Sequence, residues 1–370
     1  MILGTNRYEK ARKLMQKNDV DAMIVCKPEN VYYMSGFRAI IWSRPLIPII
    51  PLDGEPIFVV PKLEEIHVKE DSWIKDIRLY TDADFIDGSM YKYVGEALKE
   101  RKLEKVGIEK TSMSVDMFER IKSSSSPRTE FRDCSNILVD LRIIKSEEEI
   151  AATRKAVQKA EEGMKYVFGI LEEGVTERTV ALKLFFKLLE IGMDRDRLPL
   201  VLSGPRGALP HGMASERVIK KGDFIVLDFG GRIRGYTSDM TRTPVIAEPS
   251  EKQKKVYQIV LEANKVAREA VKPGKKASEI DAEARKVIEK AGYGSYFFHR
   301  TGHGLGLETH EKPFIGSTDQ TVLRPGMIFT IEPGIYLAGE FGVRIEDDIL
   351  VTVDGGETLT TLPREINIVK

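Results

Sequence analysis

From residue 146 onward the chain runs twice through one outline, and that duplication restricts its fold more than any other feature of its 370 residues. Ser146 with Glu149, and Ser250 with Gln253, are capping boxes that open amphipathic helices. In the first of these, Ile150, Val157, Met164 and Leu171 recur at helical intervals. Gly174 and Gly274 stop the two helices and lie one hundred residues apart; the next pair of helices ends at Gly192 and Gly292, again one hundred apart. A strand-like segment follows in each half, KGDFIVLDFGG (221–231) and PGMIFTIEPGI (325–335), with Gly222 six residues before Asp228 and Gly326 six before Glu332. RGYTSDMT and FGVRIEDD correspond likewise, Gly235 four before Asp239 and Gly342 four before Glu346. The outline predicts two related halves, each of two helices followed by strands, and each bringing two carboxylates to corresponding positions.

Alternation along a strand puts residues 224, 226 and 228 on one face, so Asp228 is expected to end an apolar row, and Glu332 to do the same beyond Ile328 and Thr330. The face that carries Asp239 also carries Thr237, Thr241 and Thr243, a polar face unusual for a core strand. A lone acid of this kind is most simply a salt-bridge or turn residue. Four at pseudo-symmetric positions, on halves packed face to face, converge on one cleft, and an isolated buried charge is too costly to leave uncompensated. Close carboxylates oppose one another's ionisation, and two divalent ions would neutralise four of them. A hydroxide between two such ions is a nucleophile near neutral pH. One imidazole completes a mixed oxygen and nitrogen ligand set, and HRTGHGLGLETHEKP (299–313) holds three of the chain's five histidines just before the second carboxylate strand.

Residues up to about 142 alternate helical and strand-like patterns. NRYEKARKLMQKNDV and KYVGEALKERKL read as helices, DAMIVCKP, EPIFVVP and KVGIE as short strands, and SSSSPRTE (123–130) as an internal loop. Strands alternating with helices argue for an α/β domain over 1–142, followed by an α+β domain over 143–370. Lysine plus arginine equals aspartate plus glutamate, so no net charge points to nucleic acid or an anionic membrane. No apolar run is long enough for a signal peptide or a membrane span, which makes a cytoplasmic protein the expectation. Cys26 and Cys134 fit no metal or redox spacing and read as reduced packing residues. GHGLG lacks the dinucleotide spacing, so its glycines are expected to allow close backbone approach; HExxH is absent.

Residues 146–370 resemble the pita-bread metallopeptidase superfamily, in particular its Xaa-Pro dipeptidases and Xaa-Pro aminopeptidases. The resemblance rests on ALPHG (208–212), LDFGGRIRGYTSDMTRT (227–243), HRTGHGLGLETHE (299–311), TIEPGIY (330–336) and GVRIEDD (342–348), in that order. ENVYYMSGF is similar to the creatinase/prolidase N-terminal domain. The resemblance implies Asp228, Asp239, His303, Glu332 and Glu346 as ligands of two divalent ions (Mn, Co, Zn or Fe), with Asp239 and Glu346 bridging. Glu332 would also shuttle the proton of the attacking water. His211 and His310 would contact substrate and stabilise the oxyanion, and Arg344 would orient Glu346 or contact substrate. His299 is expected to orient its loop, and His67 to be ordinary. The implied activity is hydrolysis of the bond before proline in dipeptides. Alternatives are removal of one residue from longer Xaa-Pro peptides, a nonpeptide C–N hydrolase, and a noncatalytic binding protein, which would have lost ligands that this chain retains. Some prolidases carry an Arg shortly after the position of His310, where this chain has Phe314. The family also implies a homodimer in which the N-terminal domain helps close the partner's cleft.

Overall fold

The computed structural model describes residues 2–40 and 43–369. They fall into two compact units, Met1–Arg142 and Ile143–Lys370. Among these residues the first unit carries a six-stranded sheet of β1 (Ala22–Ile24), β2 (Ile47–Pro51), β3 (Ile57–Pro61), β4 (Asp76–Tyr80), β5 (Lys105–Ile108) and β6 (Glu130–Asp133), in the order β4-β3-β2-β1-β5-β6. β1 runs antiparallel to β2 and parallel to β5. Every residue of β1 and β3 is buried, as unalternating apolar runs require of strands covered on both faces. The helices expected at the start and at KYVGEALKERKL span Ile2–Lys17 and Tyr91–Glu100. The serine loop is shorter than expected. Helix Val115–Ser124 takes the first two serines, because the Ser124 and Ser125 hydroxyls donate back to the Ile121 carbonyl and complete the last turn. Cys26 and Cys134 are free thiols, as expected.

The second unit holds four long helices, Glu147–Ile170, Glu177–Glu190, Glu251–Ala270 and Ala277–Lys290. The capping boxes at Ser146 and Ser250 are both formed. The first half continues with the antiparallel sheet β7 (Leu200–Ser203), β8 (Ile225–Ile233) and β9 (Tyr236–Arg242), then β10 (Val245–Ile246). The second half continues with β11 (Gly302–Gly304), β12 (Glu311–Ile315), β13 (Ile328–Ile331), β14 (Gly334–Leu337), β15 (Phe341–Arg344), β16 (Asp347–Val351) and β17 (Gly356–Thr358). Their order is β12-β11-β13-β16-β17, with β14-β15 as a separate ribbon. Each helix pair packs on its own strands. Ala160, Met164, Leu184 and Leu188 meet Ile225, Leu227 and Phe229, while Val260, Ala263, Ile280 and Ala284 meet Phe329, Ile331 and Ile349. Burying a side chain of this size stabilises by about 1.5–3 kcal/mol, so the two cores hold the strands in place. Among the described residues, no helix is long and apolar enough to cross a membrane.

The α/β first unit and the duplicated second unit are the expected architecture, with one correction. Asp228 does not end its strand, because β8 continues to Ile233. The chain can continue there because Gly230 lets β9 approach, where a Cβ would collide with the Ser238 carbonyl, and because Arg234 and Gly235 (φ 51° and 83°) close a two-residue hairpin turn. The spacing that matches Gly342 to Gly235 joins unlike positions: Gly235 is in the hairpin turn, whereas Gly342 lies inside β15 opposite Tyr336, pressed against the Gly207 carbonyl, and the β14–β15 turn glycine is Gly339, at φ 79°.

Candidate active site

The β8–β9 register pairs Asp228 with Thr241 and Gly230 with Asp239, so both acids and Thr241 share one face. Thr237, Asp239, Thr241 and Thr243 are all buried, which makes the expected polar face an interior one. In the second half, Ile331 pairs with Asp347 and Gly334 with Arg344, which sets Glu332 across from Glu346 at the break between the sheet and the ribbon. The two acid pairs are therefore not in the same register, diagonal in the first half and opposed in the second. Hydrogen bonds join the halves here. The Thr241 hydroxyl donates to the Glu346 carboxylate (2.7 Å), the Glu346 N–H to the Thr241 carbonyl (3.1 Å), and the Asp239 N–H to Asp348 (3.1 Å).

His303 lies on β11, where glycines on both sides let neighbouring chains close in; a Cβ at Gly302 or Gly304 would collide with the Thr330 or Lys312 carbonyl. Its N–H donates to Thr330 Oγ1 (3.0 Å), and its Nε2 is 3.3 Å from Glu332 Oε1. Asp239, His303 and Glu346 each offer one ligand atom, and these atoms lie within 4.8 Å of one another. Glu332 joins this group through His303, with its backbone N–H fixed on the Thr301 carbonyl at 2.7 Å. Asp228 joins through Arg344, whose guanidinium binds the Asp228 carboxylate, Thr241 Oγ1 (3.1 Å) and Tyr336 Oη (2.8 Å). Arg344 thus orients Asp228 directly and reaches Glu346 only by way of Thr241.

Electrostatics mark the acids as a strained set. Burial, then the charges of Asp228 and Glu332, holds Asp239 well above the usual carboxylate range; burial and then Asp239 do the same to Glu346. Glu332 is raised to about 7, by burial first and then Asp228, against the pull of Arg344. His303 is pushed below the usual imidazole range by burial and then by His310, so it is a neutral ring with a lone pair to offer. His310 packs edge-on against it, ring centroids 4.0 Å apart, and is exposed. His211 is exposed on the loop after the short turn Gly204–Ala208. His299 is no part of the cluster. Its Nδ1 lies 2.7 Å from the Arg300 carbonyl and its Nε2 2.8 Å from Tyr336 Oη, and burial lowers it to about 4. His67 is an exposed residue beside Glu64 and Asp71.

Four residues escaped the sequence reading. Tyr336 links His299 to Arg344, and Arg195 donates to the Gly230 carbonyl opposite Asp239. Glu177 and Asp281 are buried acids that clamp the strands leading into the site: Glu177 accepts from Ser203 and Ser215, and Asp281 from Thr301. Tyr336 stood inside a motif without a periodic signal, and Arg195 stood in none. The donor set fits a divalent metal. It offers two buried carboxylates, Asp239 and Glu346, two half-buried ones, Asp228 and Glu332, and one neutral imidazole; one atom each of Asp239, His303 and Glu346 already converge, with Arg344 and Arg195 as the cations beside them.

Residues 151–353 match the family model of metallopeptidase family M24, and residues 7–144 that of the creatinase/prolidase N-terminal domain. A Xaa-Pro dipeptidase of Pyrococcus furiosus is 41% identical over 97% of this chain and 99% of its own. Among solved structures, a Xaa-Pro dipeptidase from Bacillus anthracis superposes with a TM-score of 0.90 at 35% identity, covering 99% of each chain. An X-Pro aminopeptidase from Thermotoga maritima does so with 0.86 at 32%, covering 97% of this chain and 100% of its own.

Proposed function

The chain belongs to metallopeptidase family M24, and from that premise we propose that it is a prolidase, hydrolysing the peptide bond before proline in Xaa-Pro dipeptides. The observation that carries this reading is its near full-length likeness to Xaa-Pro dipeptidases. Membership of the family makes the enzyme dependent on divalent metal.

Asp228, Asp239, His303, Glu332 and Glu346 would hold two ions of Mn, Co, Zn or Fe. When bound, such ions supply Lewis acidity and a water-derived nucleophile near neutral pH. Glu332 takes the proton of the attacking water and returns it to the proline nitrogen as the bond breaks. Its placement suits a shuttle, since its backbone is fixed on Thr301 and its carboxylate faces His303. His310, packed on His303, and His211 on the facing loop contact the substrate and stabilise the oxyanion. Arg344 holds Asp228 against Thr241 and Tyr336 and leaves the substrate to other groups. Catalysis belongs to residues 143–370, and the chain works as a cytoplasmic homodimer.

A second reading, an Xaa-Pro aminopeptidase, is favoured by Phe314 in place of a carboxylate-binding Arg and by the likeness to the Thermotoga maritima enzyme. The test strips the protein with chelator, restores Mn, Co or Zn separately, and compares a Xaa-Pro dipeptide with the same peptide extended by one residue. Metal-restored cleavage of the dipeptide in preference to the tripeptide is expected. Preference for the longer peptide makes the chain an aminopeptidase, and cleavage of neither sinks both.

A further inference from the structure

A dipeptide ends one residue past its scissile bond, about 3.5 Å of extended chain, so a site that prefers dipeptides must hold a free carboxylate close to its metal ligands. Most cations around this site are already held by other partners. Arg344 spends its guanidinium on Asp228, Thr241 and Tyr336. Arg195 donates to three backbone carbonyls, Arg206 to Glu177 and the Met213 carbonyl, and Arg285 to Asp281 and two carbonyls.

Arg300 is different. Its guanidinium carbon sits 4.6 Å from the centroid of the Phe314 ring, and among the described residues its side chain makes no hydrogen bond and no ion pair. Phe314 pairs with His303 across β11 and β12, so the stack lies beside a metal-ligand candidate. Arg300 is half-buried and its backbone is pinned. A neutral His299 donates from Nδ1 to the Arg300 carbonyl and accepts at Nε2 from Tyr336, whose oxygen accepts from Arg344, which holds Asp228. A chain of hydrogen bonds therefore ties the position of Arg300 to that of Asp228. A planar cation stacked on an aromatic ring keeps its edge free, and that edge is what a carboxylate takes in a two-point bond.

We propose that Arg300, seated over the Phe314 ring, is the residue that binds the free C-terminal carboxylate of the substrate and so sets the preference for dipeptides. The proposal rests on the prolidase reading above. Arg197, exposed and with no side-chain hydrogen bond or ion pair among the described residues, is the competing cation.

The test measures kcat and KM on a Xaa-Pro dipeptide and on the same dipeptide with its carboxylate amidated. The folded, metal-loaded proteins compared are the natural chain, Arg300→Met, Arg300→Lys, Phe314→Leu and Arg197→Met. The natural chain should favour the free acid by roughly 10- to 100-fold in kcat/KM, the scale of a charge-assisted pair. Arg300→Met should erase that preference through KM, with kcat and the rate on the amide within about threefold of their starting values. Arg300→Lys should restore part of it, and Phe314→Leu should lose part of it. If Arg300→Met does not fold, the Lys and Leu variants decide by the same ratio. A free-acid preference that survives these changes, or passes away with Arg197→Met instead, overturns the assignment to Arg300 while leaving the prolidase intact. Failure of the natural chain to cleave Xaa-Pro at all defeats the prolidase reading itself, and this assignment with it.

Discussion

The two halves of the second unit begin alike and end differently. Both open on a capped helix and a second helix that closes at a glycine with positive φ, Gly192 and Gly292, each at 84°. The first half then runs an unbroken hairpin, β8 to β9. In the second, Pro333 and the residues facing it interrupt the same hairpin, so β13 and β16 stay in the five-stranded sheet while β14 and β15 leave it as a ribbon. The break puts Glu332 and Glu346 at the seam, with β11 and its histidine alongside β13. The first half supplies two acids on one continuous hairpin, and the second supplies the imidazole and two acids at a break in the strands. The buried clamps show the same divergence. Glu177 opens its helix, whereas Asp281 lies a turn further along the matching one, and each accepts from a backbone N–H and a hydroxyl of a residue at the site's edge. Equivalent support has been reached from non-equivalent positions.

The most severe way to break this comparison is to remove one acid from each half. Asp239→Ala and Glu346→Ala should each lose metal and more than about 100-fold in kcat/KM, beyond what loss of an outer partner of a metal ligand costs; elemental analysis beside kinetics checks this. A variant that keeps metal and activity would confine the site to the other half. A smaller effect separates the clamps. Glu177→Ala and Asp281→Ala should each destabilise the unit by about 2–4 kcal/mol in denaturant unfolding, because buried donors lose their acceptor. Glu177 should cost more, since it serves Ser203, Ser215 and Arg206, whereas Asp281→Ala should depress activity more, through Thr301 and Glu332. Reversal of either order would mean that the clamps do not act on the strands they touch. The smallest effect is a likeness. Ser146→Ala and Ser250→Ala should each cost about 1 kcal/mol and agree within about 0.5 kcal/mol, since both serine hydroxyls accept the N3 amide and both serine N–H groups donate to the N3 side chain.

Much of this was legible before any coordinates. Caps, helix ends and the polar threonine face follow from local rules that the chain obeys in both halves, and the buried Thr237, Thr241 and Thr243 sit where alternation put them. An acid interrupting an apolar row points to a strand end at Asp228, yet the strand continues through Gly230, whose missing Cβ admits β9. Gly342 matched Gly235 in spacing but not in purpose, since one answers a crowded neighbour and the other a turn. Arg195, Tyr336, Glu177 and Asp281 act through partners far along the chain. No periodicity of 2 or 3.6 records such contacts, and two clamps a turn apart do not align in a repeat.

The hydrogen bonds between Thr241 and Glu346 also set an order in time. They close a loop of about a hundred residues, and contacts so distant along a chain form late. A ribosome delivers Asp228 and Asp239 well before His303, Glu332 and Glu346. Throughout that interval the growing chain carries two of the five candidate ligands and lacks the other three. The five candidate ligands come together only after the last strands have arrived, so the site is a property of the finished unit and of neither half alone.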